Sequence, residues 1–417
     1  MRSGWPGGLG MIAPEILVHR RVLVFALLCA FLSSPGQTFF IAAFTSSMAE
    51  AAGISAGELG LVYMAATLGA AGLLPLAGSW IDHLELKRYT ALSLSGLTIA
   101  CIITALAQGP LMLLLGLLCL RLTGQGLMSH IAVTSTARFF TAWRGRALAV
   151  VALGFPLAEA LTPAAGVAMI AGFGWRQSYL LVASGVLLIA TPALLVLLKD
   201  QQRFCASANV TATERTGRGG LASAARILFS SAYFWLVLPV VLYLPFASTG
   251  LIFHVQTLAS SKGWPIGLIG PGFLVFAGGH VLGLIVSGRI IDRFNAKVML
   301  PAMNLPFFLG LAGLATVSDP VMLAAFLGLL GTSAGLSQTS VAAMWAEVYG
   351  VERMGTIRSL AVMLMVVGTA SGPAVVGGAF DADLGVATIA AVMGLAGLAA
   401  SALSLVALMF KTAPSPG

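Results

Sequence analysis

Charge is what this chain has least of. Only 9% of its 417 residues are Asp, Glu, Lys or Arg, against about 25% in a soluble domain. Hydrophobic residues make up 59% and the mean hydropathy is +0.98, which excludes a soluble globular protein. Cysteine is scarce as well. Cys29, Cys101, Cys119 and Cys205 show neither metal spacing nor a disulfide framework. Three of them fall inside apolar runs and read as small buried hydrophobes. The five histidines, His19, His83, His130, His254 and His280, stand singly. There is no phosphate-binding loop and no dinucleotide fingerprint. These absences argue against a membrane-embedded enzyme with paired His or metal ligands, and against ATP-driven pumping. No cofactor and no metal are expected. Aromatics reach only 8%, few for a cavity that stacks amphipathic drugs.

What the chain has is apolar runs of bilayer-spanning length. Twelve occur, at roughly 22–46, 57–80, 89–108, 111–132, 147–170, 177–198, 232–257, 267–288, 298–317, 321–343, 358–380 and 385–410. Strands or loops would leave backbone groups unpaired in lipid, so the runs are read as helices. The first follows Arg20 and Arg21 and is expected to be a retained helix, not a cleaved signal. Whether translation starts at Met1 or Met11 stays open. The net charge of +8 invites a nucleic-acid reading, but its distribution does not support one. With the N-terminus inside, nineteen of the 22 Lys and Arg lie on the cytoplasmic side. Arg176 and Lys262 lie outside, and Arg121 falls within the fourth span. That is the positive-inside bias of a multi-pass protein with both termini in the cytoplasm.

The chain also repeats. Gly78–Arg88 reads GSWIDHLELKR and Gly288–Lys297 reads GRIIDRFNAK, 210 positions later. Asp82 and Asp292 keep that offset, as do Lys87 and Lys297, Pro35 and Pro245, Gly53 and Gly263, and Pro163 and Pro373. Two equal halves in a membrane chain point to a transporter that rocks about a central site. The expected division is 1–198 for the first bundle, with 1–20 as a cytoplasmic tail. A linker, 199–231, and a second bundle, 232–417, complete it.

Gly78, Asp82, Lys87 and Arg88, and again Gly288, Asp292, Arg293 and Lys297, resemble the loop signature of the major facilitator superfamily. The first copy departs from it at His83 and Glu85. The resemblance covers essentially the whole chain. It implies an all-α membrane fold of twelve transmembrane helices in two pseudo-symmetric six-helix bundles. It implies that the signature residues gate conformational change and do not bind cargo. The Gly- and Pro-rich fifth and eleventh spans resemble the family's hinge motif.

A few polar residues lie deep in the spans. Arg121 sits mid-bilayer in the fourth, where a cation is expensive and marks a functional site. Three roles stand for it: binding an anionic substrate, tuning proton coupling as the resemblance to antiporters implies, or a structural ion pair. Glu159, in the fifth span, lies at similar depth, and adjacent helices could pair the two. His280 is central in the eighth span and is either a proton site or a polar bridge. His130 reads as interfacial. Gln37 and Thr38 follow a Pro35–Gly36 kink and serve either as helix–helix contacts or as substrate ligands. In the family, spans 1, 4, 7 and 10 line the cavity. The lining carried over is Gln37, Thr38, Arg121, Gln125, Tyr243, Thr249, Ser337 and Gln338, with Glu159 and His280 as proton-coupling candidates.

One fixed cation amid hydroxyls and amides suits a small organic anion. The expectation is a secondary transporter for a monocarboxylate-like metabolite, driven by proton coupling or exchange. Its partners would be the small-molecule substrate, the lipid bilayer of the cell membrane and a proton; it would act as a monomer. A drug efflux pump is the alternative, and a non-transporting sensor stays open.

Overall fold

The computed structural model describes residues 20–140, 143–199, 226, 228–349 and 354–409. Residues 1–19 of the expected tail, and 200–225 and 227 of the expected linker, lie outside these residues. The described residues are mainly helix joined by short turns, and among them there is no strand. Ten helices are long and apolar enough to cross a membrane unbroken. Two further spans are interrupted, which accommodates the expected twelve.

α1, residues 20–52, is broken into Arg20–Phe31, Ser34–Gly36, Thr38–Ile41 and Thr45–Ala52. α2 is Ala56–Ser79, α3 Leu86–Ala105, α4 Pro110–Phe139, α5 Arg144–Phe173 and α6 Trp175–Leu197. α7 is Ala232–Phe253 and α8 Ile269–Phe294. α9, residues 296–316, is divided into Ala296–Met299 and Leu305–Thr316. α10 is Val321–Tyr349, α11 Met354–Asp381 and α12 Val386–Ala407. Their outer surfaces are apolar: Leu188 and Ile189 are each 71% exposed. That pattern suits a surround of lipid chains and would be unstable in water.

Each half builds its own core. One hydrophobic cluster runs through α1–α6 and takes in Phe253; the other runs through α7–α12 and takes in Ala42. The repeat extends to the backbone. Gly53 and Gly263 both adopt left-handed φ, +65° and +67°, just after a helix. The next amide of each then closes the same turn, Ile54 N to Ala49 O at 3.1 Å and Trp264 N to Ala259 O at 2.8 Å. A side chain at either glycine would be strained, which accounts for glycine at both.

The signature loops and Arg138, Arg144 and Arg146 define one end of the bundle, the basic face. The opposite end is the far face. Among the described residues two cations there, Arg176 and Lys262, each cap a helix C-terminus. Arg176 Nη1 donates to Ala105 O and Ala107 O at 3.1 and 2.8 Å, closing α3. Lys262 Nζ donates to Leu314 O and Val317 O at 2.7 Å each, closing α9, the counterpart of α3 in the second half. A cation is favourable where unpaired carbonyls end a helix.

The halves meet along α2/α11 and α5/α8. A Cβ on Gly60 would lie 2.4 Å from Pro373 O, and one on Gly377 would lie 2.4 Å from Ala56 O. Bare glycine is what lets these backbones approach. The far face is closed by bonds between halves. Thr45 Oγ1 donates to Phe253 O at 3.1 Å, Ser46 N to Gln256 Oε1 at 3.2 Å, and Gln256 Nε2 to Ala43 O at 2.6 Å. Asp381, at the end of α11, accepts from Ser55 Oγ, Ala56 N and Gly57 N at 2.6, 3.1 and 2.9 Å, capping the start of α2.

Candidate functional site

The site begins with a broken helix. Pro35 and Gly36 end the first segment of α1. The chain tightens to i→i+3 bonds, Gly36 N to Ser33 O at 3.1 Å and Gln37 N to Ser34 O at 2.9 Å. The kink expected there is a full interruption, and it leaves the Gly36 carbonyl without a helical partner. α4 crosses at this point. Gly36 and Gly124 pack backbone to backbone: a Cβ on Gly36 would lie 2.1 Å from Leu120 O. Over Arg121–Met128 α4 widens into a π-helix, a distortion frequent at functional sites.

Arg121 starts that widened stretch. It is 5% exposed. Its Nη1 donates to Gly36 O at 3.0 Å, and its guanidinium carbon lies 5.1 Å from the Tyr63 ring centroid. Tyr63 is in turn bonded through its hydroxyl to Thr38 Oγ1 at 2.6 Å. Nε of Arg121 is buried without a hydrogen-bond partner. Among the described residues no carboxylate forms an ion pair with it.

Arg121 lines a cavity of about 390 Å³ between α2, α4 and α11. α2 contributes Thr67, Ala70, Ala71 and Leu74; α4 contributes Arg121, Gln125, Gly126, Ser129, His130 and Val133; α11 contributes Val366 and Thr369. Thr67 Oγ1 and Ser129 Oγ are also buried without partners. His130 Nε2 is a fourth such atom; an unmet buried polar group is costly, so four in one cavity wall favour a polar guest. A second cavity, about 410 Å³, shares Leu74 and His130 with the first and continues between α2 and α4 toward the basic face. There it is lined by Asp82 and Arg138. Arg138 donates to the Asp82 carboxylate and, at 3.2 Å, to Ile81 O.

Glu159 does not pair with Arg121, as their similar depth suggested it could. It accepts from His280 Nδ1 at 3.1 Å across the α5/α8 seam, and His280 Nε2 meets the Gln338 side chain at 3.1 Å. Depth in the bilayer is legible from sequence, but the direction a helix face points is not. α5 turns Glu159 toward the other half.

Of the eight residues expected to line a cavity, Arg121 and Gln125 line this one. Thr38 does not line it but bonds Tyr63, the ring beside Arg121, while Gln37 donates back to Ser33 Oγ at 3.2 Å. Gln338 belongs to the Glu159–His280 cluster. Tyr243 is a packing residue: its hydroxyl donates to Met393 O at 2.9 Å, and its ring lies where a Cβ on Gly397 would be. Thr249 and Ser337 are buried at 8% and 9% exposure, and neither is in the Arg121 cavity. The residues the sequence reading missed are Tyr63, Thr67, Ser129, His130 and Thr369. Arg121, Gln125 and Ser129 recur every four residues, a spacing that places them on one helix face.

The two signature loops are wired differently. In the first, Asp82 is held by Arg138 and exposed Arg88 lies 3.6 Å from Glu85; Lys87 is exposed, and Gly78 packs 3.8 Å from the His130 ring at its would-be Cβ. In the second, Asp292 and Arg293 are exposed, Arg293 stands 5.1 Å over Phe294, and the space about Gly288 is open. Lys297 follows Ala296, whose amide donates to both Glu347 oxygens at 2.9 and 3.1 Å. A cation from α4 serves the first loop, and an anion from α10 serves the second.

Twelve spans in two repeated halves, with a buried cation on an internal cavity, define a multi-pass membrane transporter. The sequence matches the profile of the Major Facilitator Superfamily over residues 26–373 and again over 255–417, and the chain belongs to that family. Its fold resembles the crystal structure of the nucleoside transporter NupG, with a TM-score of 0.73 and 16% identity, covering 94% of this chain and 100% of that one. It also resembles a bacterial homologue of the human lysosomal transporter Spinster in an inward-facing, occupied conformation. There the TM-score is 0.70 and the identity 15%, over 98% of this chain and 100% of that one. No curated protein sequence matches the chain.

Proposed function

We propose that this transporter carries a small organic monocarboxylate by alternating access, with Arg121 as the carboxylate ligand. The observation that carries this reading is a guanidinium 5% exposed, on a cavity wall, with an unpartnered Nε and, among the described residues, no carboxylate paired with it. A buried cation is tolerated when an anion joins it, and a guanidinium matches a carboxylate in shape. The basic face is cytoplasmic and the protein sits in the cell membrane with both termini inside. The far face, held by Asp381 and Gln256, is then the closed outer gate, and the guest leaves past Asp82 and Arg138.

Glu159, His280 and Gln338 supply the proton site. His280 is held on both ring nitrogens. A Gln338 amide can turn to offer its oxygen to an N–H or its NH₂ to a bare nitrogen. The cluster therefore accommodates the imidazole with or without its second proton, at a seam that must slide when the halves rock.

A thermal-shift screen of the purified protein against monocarboxylates, amino acids, sugars and cationic drugs tests the reading. Monocarboxylates are expected to raise the melting temperature of the wild type and not of Arg121→Gln. Stabilisation by sugars or cations alone would overturn it.

A further inference from the structure

The Arg121 cavity has two polar ends with an apolar waist between them. α2 and α4 run antiparallel, so Thr67, Arg121 and Gln125 fall together at the mid-membrane end. Leu74, Ser129 and His130 fall at the end nearer the basic face. Ala70, Ala71 and Gly126 lie between. Arg121 and Ser129 are about two helical turns apart, on the order of 10 Å along the axis.

The second end is as incomplete as the first. Ser129 Oγ is buried and has no partner, although most helical serines and threonines here bond their own backbone: Ser135 Oγ reaches Ile131 O at 2.6 Å and Thr136 Oγ1 reaches Ala132 O at 2.7 Å. The π-helical stretch ends at Met128, one residue before Ser129. Beside it, His130 Nδ1 lies 3.4 Å from Thr134 Oγ1, which holds the imidazole at the junction of the two cavities.

We infer that the substrate is bifunctional: a carboxylate at one end for Arg121, a short apolar body, and a hydroxyl or carbonyl at the other end for Ser129 and His130. The inference rests on the reading of Arg121 as the carboxylate ligand. It adds a specificity-determining pair on the cytoplasmic half of α4. A site that holds a buried hydroxyl for a polar group discriminates against the analogue lacking it, because that hydroxyl then stays unmet. A two-carbon acid cannot reach both ends.

The test compares octanoate, 8-hydroxyoctanoate and acetate, by isothermal titration of the purified transporter. In the wild type, 8-hydroxyoctanoate is expected to bind at least about tenfold tighter than octanoate, with acetate weakest. Ser129→Ala should bring the two eight-carbon acids to within about twofold of each other, chiefly by weakening the hydroxy acid. Arg121→Gln should abolish binding of both. Equal wild-type affinities for the two eight-carbon acids, with both lost in Arg121→Gln, would overturn the inference and leave the carboxylate reading standing. Octanoate binding that survives Arg121→Gln would overturn the carboxylate reading itself. The wild-type ratio decides the matter even if the Ser129 variant does not fold.

Discussion

Arg121 donates to the carbonyl of Gly36 at 3.0 Å, joining α4 to the break in α1. The break creates the acceptor, and the acceptor holds the guanidinium beside the cavity. Gly36 is therefore doubly constrained, because a Cβ there would meet Leu120 O at 2.1 Å. Gly36→Ala should destabilise the protein by about 1–3 kcal/mol through overpacking against backbone. Thermal unfolding in detergent measures this, and an unchanged midpoint would contradict the backbone crossing.

The Glu159–His280 contact links the halves in mid-membrane. If it carries the coupling proton, Glu159→Gln and His280→Gln each lose uptake driven by a pH gradient and keep exchange of substrate for substrate. Removing either partner of an interacting pair should also make the second change nearly silent, a non-additivity of about 0.5–3 kcal/mol in unfolding. Gradient-driven uptake in both variants would rule the pair out as the proton site.

Asp381 ties the end of α11 to the start of α2 with three bonds, two of them from backbone amides. Charge-assisted bonds of this kind are worth about 1.5–3 kcal/mol. Asp381→Asn should favour the state in which the far face is open by a factor of about ten or more. A cysteine placed at Gln256 reads this out: a membrane-impermeant maleimide should label it faster in the Asp381→Asn background than without it. Equal rates would mean that Asp381 is not a latch.

The Asp82–Arg138 pair is partly exposed, at 56% and 35% of the two side chains, so its worth in stability is small, about 0–1 kcal/mol. Its position beside the second cavity suits gating. Asp82→Asn should slow transport severalfold while moving the unfolding midpoint little. A large loss of stability with turnover intact would make the pair structural.

Much of this architecture was legible in the chain. The 210-residue offset of Gly53 and Gly263 becomes two left-handed turns of the same shape. The two cations that break the charge bias, Arg176 and Lys262, cap equivalent helices. The twelve spans and the family were legible for the same reason: length, hydropathy and repeat are one-dimensional. Helix rotation is not. Arg121 and Glu159 lie at similar depth, yet their helices turn them apart, and Tyr243 shares its depth with cavity residues while its hydroxyl is spent on α12. Ser129 and His130 were hidden because a polar residue near a helix end reads as interfacial until the neighbouring helix is in place.

Uptake of a labelled monocarboxylate into proteoliposomes, wild type beside Arg121→Gln, tests the account most directly. Saturable uptake is expected of the wild type and, for the variant, a fall to the level of empty liposomes with its unfolding midpoint largely kept. Uptake by Arg121→Gln at the wild-type rate would contradict it.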